Sequence, residues 1–404
     1  MPRAGARRTE VIELLGDGVG IQAVLKVHKF GPEDESVPLA YIQASLHADE
    51  IPGILVNHHL IKMLDVASKA GWMTQRVHIV PYANPMGMHQ TVLNYKMGRF
   101  NLATGTNFNR AFADVTDAVL AKGLVARLKE GEEAETEAYN TKMIRAALAE
   151  EYAALMNQPD VSSEAHFKLQ LLSRASQADV VLDLHCDCNA QLHMYTHSNL
   201  WPQMKDLACE LQASPTMLAI VSGGVCFEEA CSNPFYVIGK KAREKKVNVN
   251  MACHSVTVEL RGQVDVTDDY ATKDAAAIFR FLQRRGYISS TGADGTAADQ
   301  DAAEAMVVEK GLLPSSSAAA EAAPLPPLLQ EATDLSCTDL ITATAAGVIA
   351  WKVKVGDWVT KGQLLAEIVD LEVSLGGAVW CGAVQLFVVQ SERSVQGVRD
   401  VSQC

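Results

Sequence analysis

Leu39-Ala40-Tyr41-Ile42-Gln43-Ala44-Ser45-Leu46 runs directly into His47-Ala48-Asp49-Glu50. The first eight residues are an apolar, strand-like run; the next four carry chemistry. A His and a Glu at i and i+3 turn an imidazole and a carboxylate toward one point. That is two thirds of a His₂Glu zinc site, which keeps a fourth position for water. A second apolar run, Val180-Val181-Leu182-Asp183-Leu184, ends in His185. A third, Ser255-Val256-Thr257-Val258-Glu259-Leu260, carries a lone acid. Such runs, with His and Glu at or near their C-terminal ends, point to a parallel α/β sheet whose ligands bind off that edge.

The chain has 404 residues, 48% hydrophobic and 21% charged, enough for one large globular domain and a smaller one. Its net charge of −13, without a Lys/Arg stripe, argues against nucleic-acid binding. An anionic substrate stays open, because local arginines can make a positive pocket in a negative protein. No run of about 18 apolar residues appears, so no transmembrane helix is expected. Met1-Pro2-Arg3-Ala4-Gly5-Ala6-Arg7-Arg8 is basic, but no apolar segment of a signal peptide follows. The cytoplasm is the expected location, with import into an organelle left open. Nine cysteines, an odd number without framework spacing, read as free thiols in a reducing compartment.

Residues 9–27 read as a strand pair around Gly16-Asp17-Gly18-Val19-Gly20, whose spacing is that of a turn and not of a nucleotide loop. Pro52 to Leu64 has helical spacing with Pro near its start, and Val77-His78-Ile79-Val80 reads as a strand. Residues 114–157 suit one or two surface helices, and 271–285 a last amphipathic helix. The hydrolase-type body is thus expected over residues 1–288. An Ala/Ser/Pro-rich linker follows over 289–335, then a small module over 336–404.

A catalytic zinc needs three protein ligands, for which His47, Glu50 and His185 are the candidates. The attacking water needs a base, for which Glu259 is the candidate. An oxyanion needs a cation, supplied by Arg99 or Arg110. A substrate carboxylate wants a planar fork of donors, which Asn109-Arg110 can supply. Each residue has a plainer reading: a capping pair for His47 and Glu50, a core histidine for His185, an ion pair for Arg110. Glu259, among apolar neighbours, is either paired with an arginine such as Arg261 or part of a site. His58 and His59 read as helix-surface residues, and His193 as a wall of the substrate pocket. Cys186 and Cys188 lack C-x-x-C spacing for a soft metal site.

Taken in order, His47-Ala48-Asp49-Glu50, Asn84-Pro85-Met86-Gly87, Gly98-Arg99-Phe100-Asn101, Asn107-Phe108-Asn109-Arg110, Asp183-Leu184-His185 and Val258-Glu259-Leu260 resemble the succinylglutamate desuccinylase/aspartoacylase family of the zinc carboxypeptidase superfamily. The resemblance covers roughly residues 35–288. It implies a mixed α/β sheet flanked by helices and one zinc ion per chain. The implied reaction is hydrolysis of an amide bond in a small N-acyl amino acid. By the same carry-over, His47, Glu50 and His185 look like the zinc ligands and Glu259 like the general base. Arg99 looks like the residue that polarises the carbonyl, and Asn109 and Arg110 like the grip on a substrate carboxylate. Ser222-Gly223-Gly224 and Phe227-Glu228-Glu229 resemble a loop near the site.

Ala346-Gly347-Val348-Ile349, Val353-Lys354-Val355-Gly356-Asp357-Trp358-Val359 and Gly362-Gln363-Leu364-Leu365-Ala366-Glu367-Ile368 resemble the first half of a biotinyl/lipoyl-type β module. The carrier lysine is missing, since Leu371-Glu372-Val373 follows Asp370, and residues 374–404 match no second half of such a barrel. A zinc deacylase is therefore the leading expectation and a zinc carboxypeptidase acting on peptides the alternative. A scaffold without turnover and an acyl carrier are the readings from other classes. A homo-oligomer is left open.

Overall fold

The computed structural model describes residues 6–16, 22–289 and 324–369 apart from positions 344 and 361, together with the backbone of 387–391 and 394–398. Its strands begin with β1 (Arg8–Glu13), β2 (Val24–Phe30), β3 (Leu39–Ala44) and β4 (Arg76–Val80), followed by a small hairpin, β5 (Thr91–Val92) and β6 (Tyr95–Lys96). They continue with β7 (Val180–Asp187), β8 (His193–His197), β9 (Thr216–Ala219), β10 (His254–Gly262) and β11 (Thr333–Asp334). All but the hairpin form one sheet in the order β1-β2-β4-β3-β7-β10-β8-β9-β11. The expected parallel strands are its centre: β4, β3, β7 and β10 run side by side in one direction. The sheet as a whole is mixed, because β2 and β8 flank that centre antiparallel.

The register explains how one sheet is apolar on one side and chemical on the other. Side chains alternate faces along a strand, and cross-strand partners share a face. Ile42 pairs with Leu182 and Val256 with Leu182, and all three are fully buried in one core with helices α1 (Pro52–Lys69) and α8 (Asp268–Arg284). The intervening positions pair Gln43 with Asp183, Thr257 with Asp183, and Glu259 with both His185 and His193. That second face meets α4 (Ala134–Met156), α5 (Ser163–Ala175) and α7 (Phe227–Arg243) around another apolar core. The shorter helices are α2 (Pro85–His89), α3 (Thr116–Ala121) and α6 (Lys205–Leu211).

Pro52 starts α1, where its fixed φ suits the first helical turn and its missing N–H costs nothing. The next residue sets how close that helix lies to the sheet. A Cβ on Gly53 would sit 2.9 Å from Ala44 Cβ and 3.0 Å from Leu184 Cβ, so α1 rests directly on β3 and β7. On its far side, His59 departs from the surface reading: it is buried, with Nε2 2.9 Å from Asp268 Oδ1, while His58 is exposed. Of the segment read as a linker, 290–323 lies outside the described residues. Residues 324–335 run along the body, where β11 extends the sheet beside β9.

The C-terminal region is a small all-β unit of β12 (Thr338–Leu340), β13 (Val348–Trp351), β14 (Trp358–Val359), β15 (Ala366–Val369), β16 (Phe387–Ser391) and β17 (Ser394–Val398). It contains a sheet ordered β12-β16-β17-β14 and the pair β13-β15. The tail that matched no second half supplies β16 and β17, which close the sheet between β12 and β14. Its Val-rich sequence favours strands even without a motif. Among the described residues no helix is long and apolar enough to cross a membrane. Gly53→Val should force α1 off the sheet and lower the unfolding free energy by about 1–3 kcal/mol, the usual cost of overpacking. A reduced urea midpoint with unchanged slope is the expected reading; an unmoved midpoint would mean that α1 does not depend on this close approach.

Candidate metal centre

The chain leaves β3 through Ser45, whose φ of 60° is a left-handed conformation rarely adopted by a residue with a side chain. This turn brings His47 to Glu50 across the edge of the sheet, closed by a Glu50 N–H bond to the His47 carbonyl at 3.1 Å. Two glycines clamp the turn. A Cβ on Gly98 would lie 2.1 Å from the Asp49 nitrogen, and one on Gly87 would lie 2.8 Å from Ala48 Cβ. The Ala48 N–H also donates to the Gly98 carbonyl at 2.9 Å. Asn84 joins the assembly: its Oδ1 accepts from Gly87 N–H at 2.8 Å, and its Nδ2 donates to the Leu46 carbonyl at 2.9 Å. The Asn-Pro-Met-Gly and Gly-Arg-Phe-Asn motifs therefore have a mechanical reason: they seat the His47–Glu50 turn.

His47, Glu50 and His185 meet in the interior, each at most 3% exposed, with ligand atoms within 4.8 Å of one another. Glu50 is the centre. Its Oε1 lies 2.8 Å from His47 Nδ1 and its Oε2 lies 2.8 Å from His185 Nδ1. Oε2 also accepts from the Cys186 backbone N–H at 3.1 Å, and Oε1 from Arg99 Nη1 at 3.0 Å. Burial alone would raise the Glu50 carboxyl; the charges and hydrogen bonds of His47 and His185 overcome that and hold it well below the usual range. Burial would likewise depress the His185 imidazolium, but Asp183 and Glu50 outweigh it and raise it well above its ordinary value.

The far nitrogens decide what the cluster can hold. His185 Nε2 is 2.9 Å from Asp183 Oδ2, an acceptor, so that nitrogen carries a proton. His47 Nε2 is 2.8 Å from Asn107 Oδ1, which also accepts the Asn109 N–H at 2.8 Å, so the atom is the amide oxygen. With both Nε2 atoms bonded to acceptors, both Nδ1 atoms face the Glu50 carboxylate. Positive charge belongs between them, carried by the His185 imidazolium or by a metal ion in the place of its proton. Two nitrogens and a carboxylate, each imidazole steadied from behind, are the donor set and outer shell of a divalent metal site. The residues fit such an ion.

Glu259 stands beside this cluster, opposite His185 on β7 and His193 on β8. Its Oε2 is buried without a hydrogen-bond partner among the described residues. Burial first, then the Asp187 and Glu50 carboxylates, push its carboxyl well above the usual range; His185 and Arg99 pull the other way. Arg261 is not its partner. A bulge between Glu259 and Gly262 and a φ of 67° at Arg261 turn that side chain away. There it grips Asp274 through two bonds of 2.8 and 3.0 Å and lies over the Tyr270 ring.

Asn109 and Arg110 lie farther along the same loop. Asn109 Oδ1 accepts from Phe227 N–H at 2.8 Å, which holds the start of α7. Arg110 is exposed, donates from Nη1 to the Asn109 carbonyl at 2.8 Å, and packs against Gly224. The Ser222-Gly223-Gly224 loop is tied to this segment by an Ala111 N–H bond to the Gly224 carbonyl at 2.7 Å. A cleft lined by Tyr195, His197, Ser222, Glu228 and Glu229 opens beside that loop. The residues that position the cluster, Asp183 and Asn107, received no role from the sequence. Positions 183, 185 and 187 alternate as Asp, His and Asp along β7, and that period of two was the available signal.

A mixed sheet with helices on both faces and a His/Glu/His cluster at the C-terminal edge of its parallel strands is a zinc-carboxypeptidase-like fold. Residues 36–285 match the succinylglutamate desuccinylase/aspartoacylase catalytic domain, and the chain belongs to that family. Among solved structures, a succinylglutamate desuccinylase/aspartoacylase-type protein from Shewanella frigidimarina is 22% identical, with a TM-score of 0.75 over 98% of this chain and 97% of its own. A family protein from Shewanella amazonensis is 23% identical, with a TM-score of 0.74 over 96% of each chain. The product-bound ectoine utilization protein EutE of Ruegeria pomeroyi is 13% identical, with a TM-score of 0.53 over 97% of this chain and 94% of its own. At these identities the likeness is one of fold. No curated protein matches the sequence.

Asp183→Asn should leave the fold intact but loosen the orientation and basicity of His185. Affinity for a divalent metal should fall about 10- to 100-fold, the usual effect of losing such a support. Competition with a metal-binding dye measures it, and an affinity equal to wild type would remove Asp183 from the metal shell.

Proposed function

We propose that this protein is a zinc-dependent amidohydrolase that removes the acyl group from a small N-acyl amino acid. The observation that carries this reading is the cross-strand pairing of Glu259 with His185, which sets an unpartnered buried carboxylate oxygen beside the His47/Glu50/His185 cluster. His47, Glu50 and His185 would hold one zinc ion per chain. Bound there, zinc supplies positive charge for the scissile carbonyl and brings the pKa of water toward neutrality.

The rest belongs to the chain. Glu259 accepts a proton as the water oxygen bonds to the acyl carbon, then gives that proton to the amine nitrogen as the C–N bond breaks. Burial raises this carboxyl above the usual carboxylate range, which makes it a stronger proton acceptor. Arg99, fixed against Glu50 at 3.0 Å, brings permanent charge to the developing oxyanion. The remaining guanidinium donors of Arg110 and the Asn109 amide group grip the substrate carboxylate, positioned by the loop that also holds α7. Family membership supports the choice of a small acyl amino acid. The described cysteines, all free, support a reducing cytoplasm.

Purified protein with zinc, given a panel of N-acetyl and N-succinyl amino acids and short peptides, should release amine from the acyl amino acids and spare the peptides. Cleavage of peptides alone would replace this reading with a carboxypeptidase. In the same assay Glu259→Gln should keep its metal and lose at least about 10²-fold of the rate, the lower range for a missing general base. Near-normal turnover in that variant would assign the proton to another group.

A further inference from the structure

A second set of donors lies one strand beyond the first. Asp187, His193 and Glu259 bring two carboxylate oxygens and one imidazole nitrogen within 4.8 Å of one another. They come from the three adjacent strands β7, β8 and β10, with Glu259 in the middle. His193 is 1% exposed, and its Nδ1–H donates to the Gln191 carbonyl at 2.7 Å. That bond orients the ring. Nε2 lies 3.5 Å from Asp187 Oδ2, with Glu259 on the neighbouring strand. Two carboxylates and an imidazole nitrogen that converge in this way are an O, N, O set able to hold a divalent cation. Glu259 Oε2, without a hydrogen-bond partner among the described residues, is a ligand atom not otherwise committed.

We propose that Asp187, His193 and Glu259 form a second, weaker site for a divalent cation, and that filling it stops hydrolysis. An O, N, O donor set with open positions suits zinc, manganese or cobalt. The two clusters have no residue in common, so the second ion does not draw on the ligands of the first. The site is weaker because it is looser and wetter. Its imidazole–carboxylate separation is 3.5 Å against 2.8 Å in the first cluster, and the Asp187 side chain is 15% exposed. Inhibition follows from Glu259: a carboxylate bound to a cation cannot take a proton from water. That half of the proposal rests on the base role given to Glu259 above, whereas the binding half does not.

The test is equilibrium dialysis of the full chain against rising zinc, with metal content and initial rate read on the same samples. Wild type should bind two ions per chain, the second weakly, and lose activity as the second binds. Asp187→Asn and His193→Gln should each bind one ion. In each, the zinc concentration that halves the rate should rise by at least about tenfold, the lower range for a disturbed metal shell. The second variant guards against a folding failure in the first. One ion per chain in wild type, or two in both variants, would overturn the site. Two ions with undiminished rate would overturn the inhibition and the base role of Glu259 together, while the site itself stood.

Discussion

Two imidazole nitrogens aimed at one buried carboxylate call for positive charge between them, from a proton or from a metal ion. That constraint organises the molecule. Glu50 meets His47 and His185 at 2.8 Å each, and both imidazoles are fixed from behind by Asn107 and Asp183. Holding three such groups in the interior is costly unless their geometry is enforced, because an unpaired buried charge is disfavoured by several kcal/mol. The surrounding fold supplies the enforcement. β3 and β7 are parallel neighbours, so the turn after one and the end of the other arrive at the same edge. Gly53, Gly87 and Gly98 let two helices and a loop approach that edge more closely than any side chain would permit.

The two-residue period of the strands separates stability from chemistry. Even-numbered positions on β7 and β10 bury Leu182, Leu184, Val256 and Val258 under α1 and α8. Odd-numbered positions carry Asp183, His185, Asp187, Thr257 and Glu259 on the other face. A polar row of that kind would weaken an ordinary core. Part of it is tolerated because several members satisfy one another, with Gln43 Nε2 donating to Asp183 Oδ1 at 3.0 Å behind the first cluster. Among the described residues Thr257 Oγ1 and Glu259 Oε2 have no hydrogen-bond partner, and Glu259, paired across the strands with His185, takes the functional reading.

Much of this was legible in the chain. The run from Leu39 to Leu46 announced a strand by its apolar length, and Pro52 with the spacing behind it announced α1. The spacing of His47 and Glu50 marked a shared point, since three residues of a turn suffice to bring them together. Other readings failed for reasons of space. Arg261 follows Glu259 in sequence, yet a bulge and a left-handed φ send it to Asp274 on α8. His59 looked like a surface residue because the alternation of one helix face cannot reveal the acid that approaches from another helix. The tail after residue 374 carried no motif, although two of its segments pair as β16 and β17.

The sequence by itself determined the strands, the helices and the residue types able to bind metal, because these depend on local periodicity and on side-chain chemistry. Only the tertiary structure decided which of them meet. Glu50 and His185 are brought together by the pairing of β3 with β7, and Glu259 joins through β10. The second cluster of Asp187, His193 and Glu259 requires a third strand running in the opposite direction. Register and crossover order are properties of the folded sheet, and no spacing along the chain encodes them.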